Sequence, residues 1–207
     1  MTAPDTTRIR RARRQDGDTV LVAGILTDAF FAGDLAGWLV PDTTQRAQIY
    51  PPYFRMLAKH AVKHGHVELL GDDATAVWYD LDANPAPVIA DYDRQLALIT
   101  GPALPRFRQL DRAMHRHHPD PHLHPHAYLA FLAVRPAAQG RGLGAALLAH
   151  RHHDLDKHQR HAYLEATGPR NRALYGRHGY ALCGITEITP GAPVLYPMWR
   201  KPGGLVV

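Results

Sequence analysis

Apolar and polar positions change period several times along the 207 residues, and each change marks an element. Residues 9–13 alternate as a short strand. Residues 18–39 carry apolar side chains at helical spacing, with Asp16 or Asp18 near the cap, and Gly33 and Gly37 predict a break into two pieces. Residues 44–64 repeat the helical pattern, interrupted early by Pro51 and Pro52. Residues 66–70 and 74–81 read as strands around the turn Gly71-Asp72-Asp73, a hairpin signal. Two helical stretches, 91–100 and 105–116, flank Gly101-Pro102. Residues 128–134 are an apolar run with the character of a central strand. A helix over 142–153 follows, and 163–166, 170–178, 181–188 and 194–200 end the chain as strand, helix, strand and strand. Pro197 lacks a ladder donor, which predicts a bulge or an edge in the last strand. No internal repeat is visible. The alternation of both periods predicts an α/β (α+β) fold.

The junction between the central strand and its helix carries the strongest chemical signal. Gln139-Gly140-Arg141-Gly142-Leu143-Gly144 follows the apolar run directly and opens a helix. A helix start offers unpaired backbone N–H groups and the positive end of its dipole, so a phosphate can be held there by main-chain donors. Glycines let the ligand come close, and Gln139 and Arg141 add a polar arm and a charge. No Lys-Ser or Lys-Thr follows, so the spacing is not that of a P-loop. No glycine stands three residues after Gly142, so it is not a clean dinucleotide fingerprint either. A glycine-rich turn without a ligand remains the plain alternative.

The pattern from Val134 to Gly144, with Gln139, Gly142 and Gly144 at the positions of a Gln/Arg-x-x-Gly-x-Gly/Ala signature, resembles the acetyl-CoA loop of the GNAT N-acetyltransferases. A second stretch supports the resemblance: Leu164-Glu165, Asn171, Tyr175 and Gly179-Tyr180 stand in the family's order and distance. Within the family, Trp78, the His/Pro-rich approach to Tyr128, the run from Leu164 to Asn171 and the ending around Met198-Trp199 look like the puromycin N-acetyltransferase branch. The resemblance implies a GNAT fold. That is a mixed central sheet of six to seven strands flanked by helices, splayed between its central strands to hold acetyl-CoA. It implies one domain over 1–207, with 84–125 as an inserted helical, His/Pro-rich segment. It also implies an enzyme that moves an acetyl group from acetyl-CoA to a primary amine in a ternary complex. The acceptor expected is a small molecule, such as an aminonucleoside or aminoglycoside antibiotic in a resistance role. A protein or peptide N-acetyltransferase and a non-catalytic acetyl-CoA sensor are the other readings, and a homodimer is compatible with each.

Acetyl transfer needs a held donor, a neutral amine, support for the oxyanion and a proton for the leaving thiolate. Leu132, Ala133 and Val134 would lie along the pantetheine arm, and the N–H of Leu132 could support negative charge on the acetyl oxygen. Gln139, Gly140, Arg141, Gly142, Leu143 and Gly144 would hold the diphosphate, and Asn171 the pantetheine amides. Tyr175 is the expected general acid, because a phenol with pKa about 10 is protonated at neutral pH. Packing on the cofactor is its alternative role. The central strand carries no carboxylate, where many members of the family place a Glu. Glu165 on the adjoining strand is therefore the candidate base, with a structural carboxylate as the equal alternative. Phe30, Phe31, Trp38, Trp78 and Tyr79 are candidates for the acceptor-site walls, and Asp28 or Asp34 for holding a cationic amine. Each aromatic could instead be core.

Composition changes the picture little. Hydrophobic residues are 45% and charged residues 21%, ordinary for a globular domain. The net charge of +5 owes much to five arginines within residues 8–14, read as an edge strand with a solvated face, not a nucleic-acid arm. One cysteine, Cys183, fits a reducing cytoplasm and is read as buried filler. Neither a secretion signal nor a membrane span is expected. Residues 115–126 hold six histidines among three prolines. The prolines hold the segment extended, so the histidines four apart (His118, His122 and His126) form no helical pair, and a solvated linker is expected there and no metal.

Overall fold

The computed structural model describes residues 6–82 and 88–203. Its elements are β1 (Ile9–Arg11), α1 (Asp18–Phe30), α2 (Asp34–Leu39), α3 (Thr43–His64), β2 (His66–Leu70), β3 (Ala74–Leu81), α4 (Tyr92–Thr100), α5 (Leu104–His117), β4 (His126–Val134), α6 (Leu143–Lys157), β5 (His161–Ala166), α7 (Pro169–Arg177), β6 (Ala181–Leu182), β7 (Thr186–Glu187) and β8 (Val194–Arg200). The strands run in the order β1-β2-β3-β4-β5-β8-β6, with β7 pairing β8 off this path. Among the described residues, only β4 and β5 pair in parallel. The stretch 181–188, expected as one strand, is two short ones. The sheet therefore gains an eighth strand beyond the six to seven expected.

The sheet separates two apolar cores. α1, α3 and the helices α4 and α5 cover one face, through Ile25, Leu26, Phe54, Leu96 and Phe107. α6 and α7 cover the other, through Leu147, Leu148 and Tyr175 packed against Leu164 of β5. Arg10 and Asp18 tie the edge strand to α1. Two guanidinium N–H groups donate to the carboxylate at 2.6 and 2.7 Å, and the Arg13 N–H donates a third bond at 2.7 Å. These bonds hold the Asp18 carboxyl below its usual range.

Two expectations about prolines meet different fates. α3 runs through Pro51 and Pro52 without a break. Burial of Ile49, Tyr50, Phe54 and Ala58 along one stripe, with Asp42 capping Gln45 N–H at 2.7 Å, outweighs the lost helix bonds. Pro197 lies in β8 between the short partners β6 and β7, where Cys183 N–H donates to its carbonyl at 2.8 Å. A residue's N–H and C=O point to the same side of a strand, so the missing donor faces this interruption in the ladder. Residues 83–87, where the expected insertion begins, lie outside the described residues.

Candidate active site

β4 and β5 pair at only three positions, His126 with His161, Ala127 with Ala162 and Tyr128 with Tyr163. Beyond Tyr128 the ladder stops while β4 continues to Val134 and β5 to Ala166. The strands diverge there and leave a slot whose backbone groups are not used by the sheet. On its other side β4 pairs with β3 through a bulge. Val77 faces Phe131 and Trp78 faces Leu129, so Ala130 is the extra residue. The bulge switches which residues of β4 face α6: Ala127 and Leu129 before it, Leu132 and Val134 after it.

The loop after β4 follows from its glycines. Gly140 and Gly142 have φ of 78° and 79°, left-handed angles that disfavour other residues, and Gly142 is the N-cap of α6. A Cβ built at Gly140 meets nothing within 4 Å, so that side is open. The first intrahelical bond runs from Ala146 N–H to the Gly142 carbonyl at 3.0 Å. The N–H groups of Leu143, Gly144 and Ala145 thus stand at the helix start without helical partners. Gln139 braces the loop by donating from Nε2 to the Val134 carbonyl at 3.1 Å. Arg141 reaches Asp73 at 3.9 Å.

A cleft of about 370 Å³ lies over this loop, lined also by Arg170, Asn171 and Arg177 of α7. A second cavity of about 510 Å³ lies beyond it. The two share Leu132, Val134, Gln139, Asn171 and Tyr175. These residues fit a coenzyme A thioester. Free helix amides and two arginines suit a diphosphate, the open β4–β5 slot suits an amide-bearing arm, and Tyr175 stands at the junction with the second cavity. Asn171 donates from Nδ2 to Thr167 Oγ1 at 3.2 Å, which places its amide at the slot.

Tyr175 is buried, and burial alone pushes its hydroxyl above the ordinary tyrosine value, so it holds its proton throughout the neutral range. Glu165 lines the second cavity. Its side chain is 4% exposed, and its Oε1 is buried without a hydrogen-bond partner among the described residues. Burial, followed by the nearby carboxylate, raises the hydroxyl pKa of both Tyr128 and Tyr163. The second cavity is walled by Phe30, Tyr53, Phe54, Tyr79, Tyr92, Met114 and Phe131, with Asp34 and Asp111 among them. Tyr92 donates to Asp111 Oδ2 at 3.0 Å, and burial raises the Asp111 carboxyl.

The structure thus gathers Tyr175, Glu165, Asn171, the residues from Leu132 to Val134, the glycine loop, Phe30, Asp34 and Tyr79. Three expected wall residues, Trp38, Trp78 and Phe31, and the expected acid Asp28 lie elsewhere, Trp38 packing under the Arg106 guanidinium. Trp78 is fully buried on the α6 face, against His152, because neighbouring strand residues face opposite ways and Tyr79 takes the cavity side. Phe31 packs edge-on against Tyr50 under the Arg46 guanidinium. Asp28 is committed to an ion pair with Arg135. Cys183 is exposed beyond β6, not buried filler. The stretch 115–126 is not a plain solvated linker. His115 and His117 end α5, His126 starts β4 fully buried, and His118 is largely covered.

Sequence reasoning missed Tyr53, Tyr92, Asp111, Met114, Arg170 and Arg177. The two arginines had a signal, since spacing of seven on a helix puts them on the face of Leu174. The others come from helices whose docking no local pattern encodes.

Residues 110–182 match the family model described as an acetyltransferase (GNAT) domain. Among solved structures, the fold is shared with a Corynebacterium glutamicum protein described as a histone acetyltransferase and related acetyltransferase (23% identity, all of both chains covered, TM-score 0.72). It is shared with an arylalkylamine N-acetyltransferase from Aedes aegypti (14% identity, 95% of this chain and 99% of that one, TM-score 0.60). A ribosomal-protein-alanine N-acetyltransferase from Escherichia coli is also similar (18% identity, 94% of each chain, TM-score 0.52). At these identities the likeness concerns the fold, and the matched domain together with that fold supports an acetyl-CoA-dependent acetyltransferase.

Proposed function

We propose, for a chain that carries a GNAT acetyltransferase domain in a GNAT fold, that it N-acetylates a small primary amine with an apolar or aromatic body. The observation that carries this reading is the aromatic-walled cavity of about 510 Å³ that meets the glycine-loop cleft at Tyr175. An aromatic-walled cavity of this size suits a small molecule better than a protein chain. Its aromatic walls would leave the many hydroxyls of an aminoglycoside unpaired, which is costly. An aminonucleoside-type antibiotic meets the requirement better, and a resistance role follows from the resemblance to the puromycin N-acetyltransferase branch.

Acetyl-CoA, when bound, supplies the acetyl thioester. The amides of Leu143, Gly144 and Ala145, with Arg170 and Arg177, hold the diphosphate. Glu165 takes a proton from the incoming ammonium, and Asp111 and Asp34 supply negative charge that draws the cation into the cavity. The N–H of Leu132 supports the oxyanion, and Tyr175 donates its hydroxyl proton to the departing sulfur. Proximity in the ternary complex does the rest, with no acetyl-enzyme needed.

A panel of amines tested with thiol release as readout checks the reading. Arylalkylamines and aminonucleosides should turn over, and aminoglycosides should be at least about tenfold poorer in kcat/KM. A preference for peptide N-termini over every small amine would contradict it.

A further inference from the structure

His118, at the C-terminal end of α5, is brought to the candidate base. Its Nδ1 lies 3.5 Å from Glu165 Oε1, the buried oxygen that lacks a hydrogen-bond partner among the described residues. Its Nε2 lies 3.3 Å from His126 Nε2. His126 Nδ1 lies 2.7 Å from the His124 carbonyl, which can only accept, so Nδ1 carries the His126 proton. Burial pulls the His126 pKa down to about 4, so this ring is neutral at neutral pH and its Nε2 is a bare acceptor. His118 must then donate from Nε2–H. In the neutral ring that leaves Nδ1 bare and aimed at Glu165 Oε1. The gap between these two atoms has room for one proton, beside the Tyr128 and Tyr163 hydroxyls that also face this carboxylate.

The two residues also border different spaces. Glu165 lines the proposed acceptor cavity, whereas His118, 21% exposed, lines a neighbouring cavity of about 530 Å³, which meets the first at Tyr79, Tyr92, Asp111, Met114 and Tyr128. Tyr128 belongs to both and stands edge-on to the His118 ring at 4.7 Å. Tyr163 does the same from the other side at 5.0 Å. The imidazole is thus fixed in orientation between the buried carboxylate and a solvent-facing space.

We propose that His118 is a proton relay that takes the acceptor's proton from Glu165 and releases it to solvent; this rests on the reading of Glu165 as the base. The ammonium N–H breaks as an O–H forms on Glu165 Oε1. That O–H breaks as an N–H forms on His118 Nδ1, which returns Glu165 to the carboxylate. The Nδ1–H bond then breaks as the proton passes to water in the cavity that His118 lines, which returns the ring to its neutral Nε2–H form. His126 serves as the positioning residue that fixes the His118 tautomer. The groups facing the relay are Glu165 and Tyr163 from β5, His126 and Tyr128 from β4, Asp111 and His115 from α5, Tyr92 from α4, Tyr79 from β3 and His60 from α3. Arg160 also donates to the His126 carbonyl at 3.4 Å.

The test uses the full chain, acetyl-CoA and 2-phenylethylamine. His118→Ala should lower kcat at least about tenfold with KM for acetyl-CoA unchanged, and added imidazole should restore a large part of the loss. His118→Gln keeps a donor toward His126 but cannot carry a proton, so it should be as slow as the Ala variant. Undiminished kcat in His118→Gln, or a loss in His118→Ala that imidazole leaves untouched, would overturn the relay. A ¹⁵N spectrum of the wild-type histidines decides without turnover and without any variant that must fold: an Nε2–H tautomer at His118 supports the relay, an Nδ1–H tautomer defeats it. A wild-type protein that acetylates no amine at all defeats the acetyltransferase reading instead, so the two failures are distinct.

Discussion

Tyr175 concentrates the account into one hydroxyl. It is buried where the cofactor cleft and the acceptor cavity meet, and burial keeps it protonated. Tyr175→Phe should lower kcat about 100-fold while leaving acetyl-CoA affinity within a few-fold, read by steady-state kinetics and calorimetry. An equal kcat in the variant would reduce the residue to packing. At this scale the sequence was legible where chemistry and spacing agreed. Tyr175, Glu165 and Asn171 were named from their own segment, and all three line one cavity. Trp78 and Tyr79 show what the spacing itself forbade. Two consecutive strand residues face opposite sides, so both could not wall one cavity. Asp28 was different in kind, because its partner Arg135 is remote in the chain and no local pattern announces it.

Elements defined by neighbours in sequence were readable, and those defined by docking were not. The strand, glycine turn and helix from β4 to α6 stood in the sequence because each is set by local backbone chemistry. The bulge at Ala130 did not, since it depends on the register of β3 against β4. Helices α4 and α5 were legible as helices, but their delivery of Tyr92, Asp111, Met114 and His118 to the site depends on how they pack. The loop yields a sharp contrast between two glycines. Gly142 sits at φ 79°, so Gly142→Val should lower the melting temperature by the equivalent of about 1–2 kcal/mol. A Cβ at Gly144 meets Leu132 Cδ2 at 3.5 Å, an ordinary contact, and alanine is the better helix former. Gly144→Ala should therefore melt no lower than the wild type. Equal destabilisation of the two variants, measured by thermal unfolding, would contradict the loop conformation.

For the molecule as a whole, one sheet with a core on each face holds the β4–β5 slot open between covering helices. No helix among the described residues is long and apolar enough to cross a membrane. Two histidines are buried uncharged in this body. Burial lowers His126 to about 4 and His152 to about 3, both from 6.5. The folded state then binds fewer protons than the unfolded chain between those values. Stability is fully present above about pH 6.5 and falls as the pH drops toward 4, by on the order of a few kcal/mol. Calorimetric melting from pH 7.5 to 4.5 should show this decline, with His152→Gln flattening it; a melting temperature independent of pH would contradict the buried neutral rings. The central claim is that main-chain amides at the start of α6 and the slot beside β4 bind acetyl-CoA. Isothermal titration of the protein with acetyl-CoA tests it most directly. Saturable binding at one site per chain, lost in Gly142→Val, is expected; no heat with the wild type, or equal binding by both proteins, would refute it.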